Sequence, residues 1–303
     1  MLFEKIQPTV LKETSEAQNQ LDKLNEILPK ASPSVQEVIK QDISLCEMGI
    51  YGENKIMFEL KNSHIPMYII HDLFLVKDDL SAQIDYLVIC PKCIYVIECK
   101  NLFGNIEVNS KGDFIRTIQK GKFYRKEGIY SPITQNQRHL DLLRDITLSS
   151  KAKAIANKLF GDSFSQIFVP VVVLANDKTV LNDRYAKKEI KSQIIRVDQL
   201  ISFIKEHEKE SKMLKMSNAD MKETAEVWLS RNAENPTDYI EKYRTLEREA
   251  RSQVKAEKPV DETPVCPNCK VKMVRRVAGS GARKGKEFWG CPNYPKCRNI
   301  INI

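Results

Sequence analysis

The chain has 303 residues, of which 42% are hydrophobic and 29% are charged. This length accommodates one to three domains, and no run of about 18 apolar residues offers a membrane span, so no membrane partner is expected. The N-terminus shows no export signal, and eight cysteines without one predict a reducing, cytoplasmic setting in which cysteines are thiols or metal ligands rather than disulfides.

The net charge of +8 is concentrated at the C-terminal end. Residues 262–303 hold nine Lys/Arg and two Asp/Glu, whereas the other 261 residues hold 39 basic and 38 acidic side chains. Such a concentration indicates a module that binds a polyanion rather than a generally basic protein.

The first 48 residues show a helical pattern. Leu21, Leu24 and Leu28 recur at helical spacing, and a second helix begins after Pro33. The segment offers no chemistry, and its pattern favours a helical pair that packs on the protein or contacts a partner.

A further helix is predicted to open at Gly52-Glu53, with Ile56 and Leu60 on its apolar stripe. Glu53 lies on the same stripe, and a carboxylate there is uncommon unless it is paired or ligating. The alternative is an acid near a helix N-terminus, where the helix dipole favours it.

The stretch 83–100 predicts a β-hairpin. Two β-branched and aromatic runs, Tyr86–Ile89 and Ile94–Ile97, flank a break at Pro91-Lys92. A strand near Met67–Val76 is expected to precede it. A turn centred on the break gives a register in which opposite residue numbers sum to 183.

This register places Asp85 opposite Glu98, and strand alternation puts Lys100 on the same face as Glu98. Facing carboxylates repel, and a divalent cation between them converts repulsion into binding. A neighbouring lysine can polarise a water or a phosphate. The pattern therefore favours a metal site, with charged strand ends in solvent as the alternative.

Three cysteines lie on or near this hairpin. Cys90 and Cys93 flank the turn, and Cys99 lies on the face opposite Glu98. We interpret them as reduced structural thiols, because buried cysteine behaves as a small apolar residue. A metal bound through Cys90 and Cys93 with outside ligands is the alternative.

A long helix is predicted to begin at Pro132. Gln135 and His139 lie on the face that Leu142 and Ile146 continue. Gln135 either bonds a nearby carbonyl or has a functional role, and His139 is interpreted as a core or boundary histidine. Further elements are expected at 104–108, 114–118, 123–125, 166–175, 194–197 and 198–206, which gives an α/β unit.

Residues 209–258 are charged and helical without strong apolar moments, which indicates a helical connector. Lys255–Pro264 contains two prolines among charges and predicts a flexible linker. We therefore expect four parts, namely a helical segment (1–48), an α/β domain (49–208), a connector (209–261) and a zinc ribbon (262–303).

The prediction of the ribbon comes from two cysteine pairs, Cys266/Cys269 and Cys291/Cys297. Two pairs at this separation in a short basic segment are typical of a structural Zn²⁺ site with four thiolates, on which folding would depend. Four free thiols in a tail are the alternative.

Basic and aromatic side chains lie between and beside these cysteines. Basic residues track phosphates while aromatic rings stack on unpaired bases. Phe288 and Trp289 are alternatively the small core of the ribbon, and we expect that one of them is. The candidate nucleic-acid-binding residues are Lys272, Arg275, Arg276, Arg283, Lys284, Lys286, Trp289 and Tyr294.

The run from Gly49 to about Ile146 resembles the nuclease-related domain (NERD), a branch of the PD-(D/E)xK nuclease superfamily. The resemblance depends on four pieces in order. They are Gly52-Glu53, Gln83-Ile84-Asp85, Ile97-Glu98-Cys99-Lys100-Asn101 with Gly104, and Pro132-x-x-Gln135. In this chain, Cys90-Pro-Lys-Cys93 occupies what is often a glycine-containing turn.

This resemblance implies an α/β fold with a restriction-endonuclease-like mixed sheet flanked by helices. It implies that Asp85 and Glu98 hold Mg²⁺ or Mn²⁺ and that Lys100 is the catalytic lysine. Glu53 would be an additional ligand or a water-orienting group, and Gln135 a further active-site residue.

The C-terminal segment is similar to the zinc ribbons of bacterial type I topoisomerases, with Gly290-Cys291-Pro-Asn-Tyr-Pro-Lys-Cys297 as the matching stretch. That similarity implies binding of single-stranded DNA.

Together these features predict a metal-dependent nuclease acting on DNA in repair, replication or processing. The zinc ribbon would target it to single-stranded or distorted DNA. The alternative is a catalytically idle DNA-binding or recruitment protein that contacts a helicase, a topoisomerase or another replication or repair protein. The complete acidic set Glu53, Asp85 and Glu98 with Lys100 argues against the idle alternative.

Overall fold

The computed structural model describes residues 7–148, 163–256 and 263–303. The chain forms two compact units, one ending at Tyr243 and one beginning at Arg244. Of the linker predicted at 255–264, residues 257–262 lie outside the described part. The four-part division stays a prediction. None of the described helices is long and apolar enough to cross a membrane.

Thirteen strands are described, and the first unit contains ten of them. In chain order they are β1 Thr9–Lys12, β2 Tyr68–Lys77, β3 Leu80–Ile89, β4 Ile94–Lys100, β5 Asn105–Val108, β6 Phe114–Lys120, β7 Phe123–Ile129, β8 Phe168–Leu174, β9 Leu181–Asn182, β10 Ile194–Arg196, β11 Val274–Val277, β12 Glu287–Gly290 and β13 Ile300–Asn302.

Seven α-helices have bounds within the described residues. They are α1 Glu16–Ile27, α2 Pro33–Lys61, α3 Pro132–Leu148, α4 Lys188–Lys191, α5 Leu200–Glu210, α6 Asn218–Leu229 and α7 Glu241–Ala256. Two short 3₁₀ helices, Leu28–Lys30 and Val197–Gln199, precede α2 and α5.

The central sheet has the order β1-β2-β3-β4-β8-β10. The β2-β3-β4 meander is antiparallel, whereas β1, β8 and β10 pair in parallel with their neighbours. Long apolar runs in the central strands are covered on both faces, as parallel sheets require. The predicted mixed α/β sheet flanked by helices is confirmed.

Helices cover the two faces of this sheet. On one face, α3 and α6 contribute Leu143 and Trp228 to a core that includes Val96. On the other face, α2 and α5 contribute Ile56 and Leu200 to a separate core. Each strand therefore buries alternate side chains in two different layers.

The β3-β4 hairpin has the expected register. Its ladder runs from Ile89↔Ile94 to Tyr86↔Ile97, and the N–H of Cys90 donates to the carbonyl of Cys93 across the turn. Cys90 and Cys93 are free thiols buried in the core, in agreement with a structural role.

The expectation of a separate helix opening at Gly52 is wrong, because α2 is one continuous helix of 29 residues. An internal glycine costs a helix only about 1 kcal/mol. The buried face from Val35 to Leu60 outweighs that cost. A side chain on Gly52 would stand 2.5 Å from Cβ of Asn101, so the glycine allows α2 to approach the end of β4 closely.

Two segments outside the predicted α/β domain belong to the central sheet and its core. The N-terminal strand β1, in a segment expected to be helical, pairs with β2. Met221, Ala225 and Trp228 of α6, in the predicted connector, are buried in the α3-side core. Their spacing of four and three residues is that of one helix face.

A second sheet of the order β7-β6-β5-β9 follows β4 in the chain. Its base packs Ile106 and Phe114 against Val172 and Leu174 of β8. The second unit contains a small antiparallel sheet, β11-β12-β13, which carries the four clustered cysteines. The predicted small C-terminal β region is thus confirmed.

Candidate active site and cysteine cluster

Glu53 is held at the end of the central sheet by neighbours on β2 and β3. The hydroxyl of Tyr86 donates to the backbone carbonyl of Glu53 over 2.8 Å. Nε2 of His71 lies 3.0 Å from Oε2 of Glu53, and the ring of His71 stacks on Tyr86 at 4.6 Å. The Glu53 side chain is therefore fixed in place rather than directed into solvent.

Both ring nitrogens of His71 face acceptor groups. Nδ1 lies 3.1 Å from the carbonyl oxygen of Glu13, and Nε2 lies 3.0 Å from Oε2 of Glu53. These two contacts fix the orientation of the ring toward Glu53.

Asp85 lies where the alternation of the strands changes. Ile84 and Leu87, which perfect alternation would place on opposite faces, share the α3-side core. Asp72, opposite Asp85 in the β2-β3 register, has a positive φ of 55°. Oδ2 of Asp85 accepts the backbone N–H of Cys99 over 2.7 Å. The carboxylate thus reaches the backbone of β4 just beyond the last ladder pair.

Glu98, Lys100 and Gln135 form a continuous hydrogen-bonded group. Nζ of Lys100 donates to Oε1 of Glu98 over 2.5 Å and to Oε1 of Gln135 over 3.1 Å. Glu98 is 1% exposed, and both it and Lys100 project toward α3, as alternation predicts. Gln135 of α3 therefore has a specific partner in the site.

Burial and like charge dominate the electrostatics of this group. Burial, followed by the charges of Glu98 and Glu53, raises the pKa of Asp85 well above its ordinary value. Burial raises the pKa of Glu98 too, against the opposing effect of Lys100 and with a contribution from Glu53. For Lys100, burial lowers the pKa, but Glu98 and Asp85 outweigh it and the net shift is upward. The lysine is thus a firmly protonated ammonium.

Buried polar atoms without partners lie on the side of Glu98 that faces α3. In the described part of the chain, Oε2 of Glu98, Nδ1 of His139 and Oδ1 of Asn136 have no hydrogen-bond partner. Nδ1 of His139 lies 3.7 Å from Oε2 of Glu98. Burial, with a smaller effect of Lys100, lowers the pKa of His139 to about 4, so the imidazole is neutral at pH 7. Such orphaned groups call for a bound water or ion.

The donor set tests the expected divalent cation. Two carboxylates of raised pKa, one with a free buried oxygen, fit a hard cation with oxygen ligands. Glu53 does not complete a three-carboxylate cluster. Among the residues that the structure describes, the four cysteines form the one group of three or more Asp, Glu, His or Cys ligand atoms within 4.8 Å of one another.

The sequence reasoning missed His71, Asp72 and Asn136 and treated His139 as a satisfied core residue. Asn136 is fully buried and donates from Nδ2 to the carbonyls of Val96 and Val171, linking α3 to two central strands. The feature of the sequence that could have identified His71 and Asp72 is their occurrence as a polar pair within an otherwise apolar strand.

The cysteine cluster of the second unit has the dimensions of a zinc site. Sγ of Cys266 lies 3.7 Å from Sγ of Cys297. Tetrahedral coordination with Zn–S bonds of about 2.3 Å places thiolates about 3.8 Å apart. A backbone hydrogen bond from Asn299 is the main factor that lowers the pKa of Cys297 to about 6, which favours the thiolate. The cluster can bind a zinc ion.

Trp289, a candidate nucleic-acid-binding residue, and its neighbour Phe288 lie in different surroundings. Trp289 packs against the cysteine core, whereas Phe288 lines a groove of about 500 Å³. Arg283 and Lys286 line the same groove, and Tyr294 is 60% exposed.

The other candidate basic residues of the ribbon differ from one another in their contacts. Arg275 pairs with Glu287, and the side chain of Arg276 crosses Gly290. Lys272 and Lys284 do not line the groove. Their roles in binding stay predictions.

The described geometry can be compared with known proteins. Residues 48–175 match the family model of the nuclease-related domain (NERD). This segment is therefore similar to nuclease-related domains, which indicates a nuclease-like function. It includes Glu53, Asp85, Glu98, Lys100 and Gln135. Searches of curated proteins and of solved structures returned no significant match. The topoisomerase-type assignment of the ribbon stays a prediction.

Proposed function

We propose that this protein is a metal-dependent nuclease that hydrolyses phosphodiester bonds in DNA, in repair, replication or processing. The observation that carries the proposal is the buried Glu98–Lys100 pair, joined to Gln135 and adjacent to Asp85. Buried like charges with shifted pKa values cluster at functional sites.

Asp85 and Glu98 would hold the Mg²⁺ or Mn²⁺, which supplies a Lewis acid for the scissile phosphate and a water of lowered pKa. Their mutual repulsion and the orphaned oxygen of Glu98 support this assignment. Glu53 lies close enough to add to the repulsion, and His71 fixes its orientation. We assign Glu53 the role of orienting water at the site.

Lys100 is suited to stabilise the transition state. An ammonium has three N–H donors, and Glu98 and Gln135 accept two of them. The third donor is available for a phosphate oxygen. Because the pKa of Lys100 is raised, it acts as a positive charge rather than as a general base. Gln135 positions the ammonium.

The second unit would hold single-stranded or distorted DNA through a Zn²⁺-folded ribbon. The groove with Arg283, Lys286 and Phe288 combines phosphate-binding charge with a stacking ring. A helicase or another replication or repair protein stays a candidate partner.

Cleavage of single-stranded, duplex and flapped DNA with Mg²⁺ or Mn²⁺ tests the proposal. Glu98→Gln and Lys100→Met should each reduce the cleavage rate at least about 100-fold, the loss typical of one transition-state-stabilising group. Lys92→Met, at the turn of the same hairpin, is the matched control and should cleave normally. If the wild type cuts nothing, the nuclease proposal is wrong. If the site variants cut as well as the control, the cleavage does not come from Glu98 and Lys100 and the assigned site is wrong.

Removing residues 262–303 tests the ribbon separately. Binding to single strands should weaken and lose much of its salt dependence, while the rate of the bound complex is retained. Unchanged binding would place the contact surface elsewhere.

A further inference from the structure

A second concentration of positive charge lies inside the first unit, between Lys111 and Tyr130. These 20 residues hold six Lys/Arg and two Asp/Glu, a net charge of +4. The first 261 residues as a whole carry only +1, so the rest of that region sums to −3. The net charge of residues 1–261 therefore does not reveal this local excess of positive charge.

The excess maps onto the β6-β7 hairpin, residues 114–129, here called the arm. β7 is the edge strand of the second sheet, and most of its side chains are exposed on both faces. Phe123 and Tyr124, at the start of β7, are 55% and 63% exposed. Two neighbouring aromatic side chains point to opposite faces of a strand, so both faces of the arm carry a ring.

Basic side chains surround these rings. Lys120 lies directly opposite Phe123 in the ladder, and Lys122 immediately precedes it in the turn. Within the part of the chain that the structure describes, neither lysine forms an ion pair. Nearer the base, Glu127 pairs with both Arg116 and Arg125, which leaves one net positive charge there.

The base of the arm is anchored beside the candidate active site. Phe114 packs in the core that contains Val172 and Leu174 of β8. In the β4-β8 ladder, Val172 pairs with Glu98 and Leu174 pairs with Lys100. One end of the arm thus rests on the strand next to the site, and the other end is free in solvent.

The start of α3 also lies next to the base of the arm. Ile133, two residues before Gln135, packs against the core at the base of the arm. Tyr130, which follows the arm, is 55% exposed and lies under the guanidinium of Arg138 at 5.5 Å.

We propose that the arm is a nucleic-acid-binding surface that holds a single strand of DNA leading to the Glu98–Lys100 site. Lys120, Lys122 and Arg125 contact phosphates, and Phe123 and Tyr124 stack on unpaired bases. The inference rests on the proposed function for its substrate. Basic residues on an edge strand, here Arg125 and Lys126 of β7, also protect it against aggregation, but that role does not require two exposed aromatic rings.

Binding of the full-length protein to DNA tests the arm independently of cleavage. The probes are a fluorescein-labelled 20-nucleotide single strand and the corresponding duplex, measured by anisotropy at several KCl concentrations without divalent metal. The variants are Lys120→Gln/Lys122→Gln/Arg125→Gln and, separately, Phe123→Ser/Tyr124→Ser. The matched control is Lys205→Gln/Lys209→Gln/Lys212→Gln, which removes three exposed charges on and just after α5.

Loss of three phosphate contacts should lower the slope of log K against log[KCl] by about 2 and weaken single-strand binding roughly 10- to 100-fold at 0.1 M salt. The aromatic variant should lose at least about fivefold per ring without a change in slope. It should bind the duplex as the wild type does, since paired bases offer no free face.

Equal binding by the arm and control variants would overturn the proposal and make the arm a solvated edge. Weaker binding of the duplex and the single strand alike by the aromatic variant would overturn the stacking role. The outcome is distinct from failure of the proposed function, because a chain that cuts no DNA can still bind through the arm. An arm variant that binds and cuts DNA as the wild type does would support the nuclease and refute the inference.

Discussion

Nδ1 of His139 lies 3.7 Å from Oε2 of Glu98, and neither atom has a hydrogen-bond partner among the described residues. The distance is too long for a direct hydrogen bond. Since burial and Lys100 lower the pKa of His139 to about 4, the two groups do not form an ion pair at neutral pH. This side of Glu98 is therefore available to a Lewis acid such as a metal cation.

The first prediction is that divalent metal stabilises the protein through Glu98. At a Mg²⁺ concentration 100 times the Kd, binding adds about 2.7 kcal/mol to the free energy of unfolding. A domain of this size gains about 2–4 °C in Tm per kcal/mol, so the expected rise is about 5–10 °C. Thermal unfolding with and without Mg²⁺ measures it.

Glu98→Gln should abolish this rise in Tm. Glu208→Gln is the matched control. Burial raises the pKa of Glu208 as it does that of Glu98, but Glu208 accepts the N–H groups of Lys92 and Cys93 at the far end of the hairpin. If both variants respond to Mg²⁺ equally, the metal binds elsewhere.

The second prediction concerns Asp85 and pH in the metal-free protein. Its folded-state pKa is raised by burial and by neighbouring carboxylates, so between the unfolded and folded pKa values the folded state binds more protons. Stability therefore falls as pH rises through that window. Asp85→Asn removes the unfavourable free energy of the buried carboxylate, and the Tm at pH 8 should rise by about 2–4 °C for each kcal/mol removed. The difference in Tm between the variant and the wild type should shrink toward pH 4.

Asp220→Asn gives a control of opposite sign. A hydrogen bond from Ser217 lowers the pKa of Asp220, so its carboxylate stabilises the fold above the unfolded pKa. That variant should be less stable than the wild type at pH 8 and equal to it at low pH. An Asp85→Asn profile of the same sign would show that the folded state does not raise the pKa of Asp85.

The third prediction compares two glycines of α2. A Cβ on Gly52 would lie 2.5 Å from Cβ of Asn101, whereas one on Gly49 meets nothing within 4 Å. Gly49→Ala should raise the free energy of unfolding by about 0.5–1 kcal/mol through helix propensity alone. Gly52→Ala should lower it by about 1–2 kcal/mol, because overpacking exceeds that gain.

Chemical denaturation of the two variants measures this difference. Gly52→Ala should also slow cleavage, since it moves Glu53 relative to β4. If both alanines stabilise the protein equally, close approach is not the reason for glycine at position 52.

The sequence predicted those parts of the candidate site that depend on local strand pairing and alternation. Hairpin register predicted the ladder from Ile89↔Ile94 to Tyr86↔Ile97, and alternation predicted that Glu98 and Lys100 share a face, because a two-residue turn fixes the pairs next to it. The predicted pairing of Asp85 with Glu98 is not part of the ladder, because the alternation of β3 changes there and the Asp85 carboxylate accepts the N–H of Cys99. The contact of Gln135 with Lys100 depended on how α3 packs over β4, which the helical pattern alone does not specify. His71 and Asp72 were missed because a positive φ inverts the alternation of β2 there. The pairing of β1 with β2 and the packing of α6 on the central sheet were not predicted, because their partners lie far away in the chain.

The last prediction is that zinc folds the second unit and not the first. Cys266→Ser should lose the bound Zn²⁺, measured by metal analysis of the purified protein, because the remaining three thiolates cannot complete the tetrahedral site. The ribbon signals in an NMR spectrum should collapse, since a segment with so small a core depends on its metal. The first unit should keep its Tm, because its cores contain none of the four cysteines. Cys46→Ser, at a partly buried free thiol of α2, is the control and should retain one zinc per chain. A full complement of zinc in Cys266→Ser, or loss of zinc in both variants, would rule out the four-cysteine site.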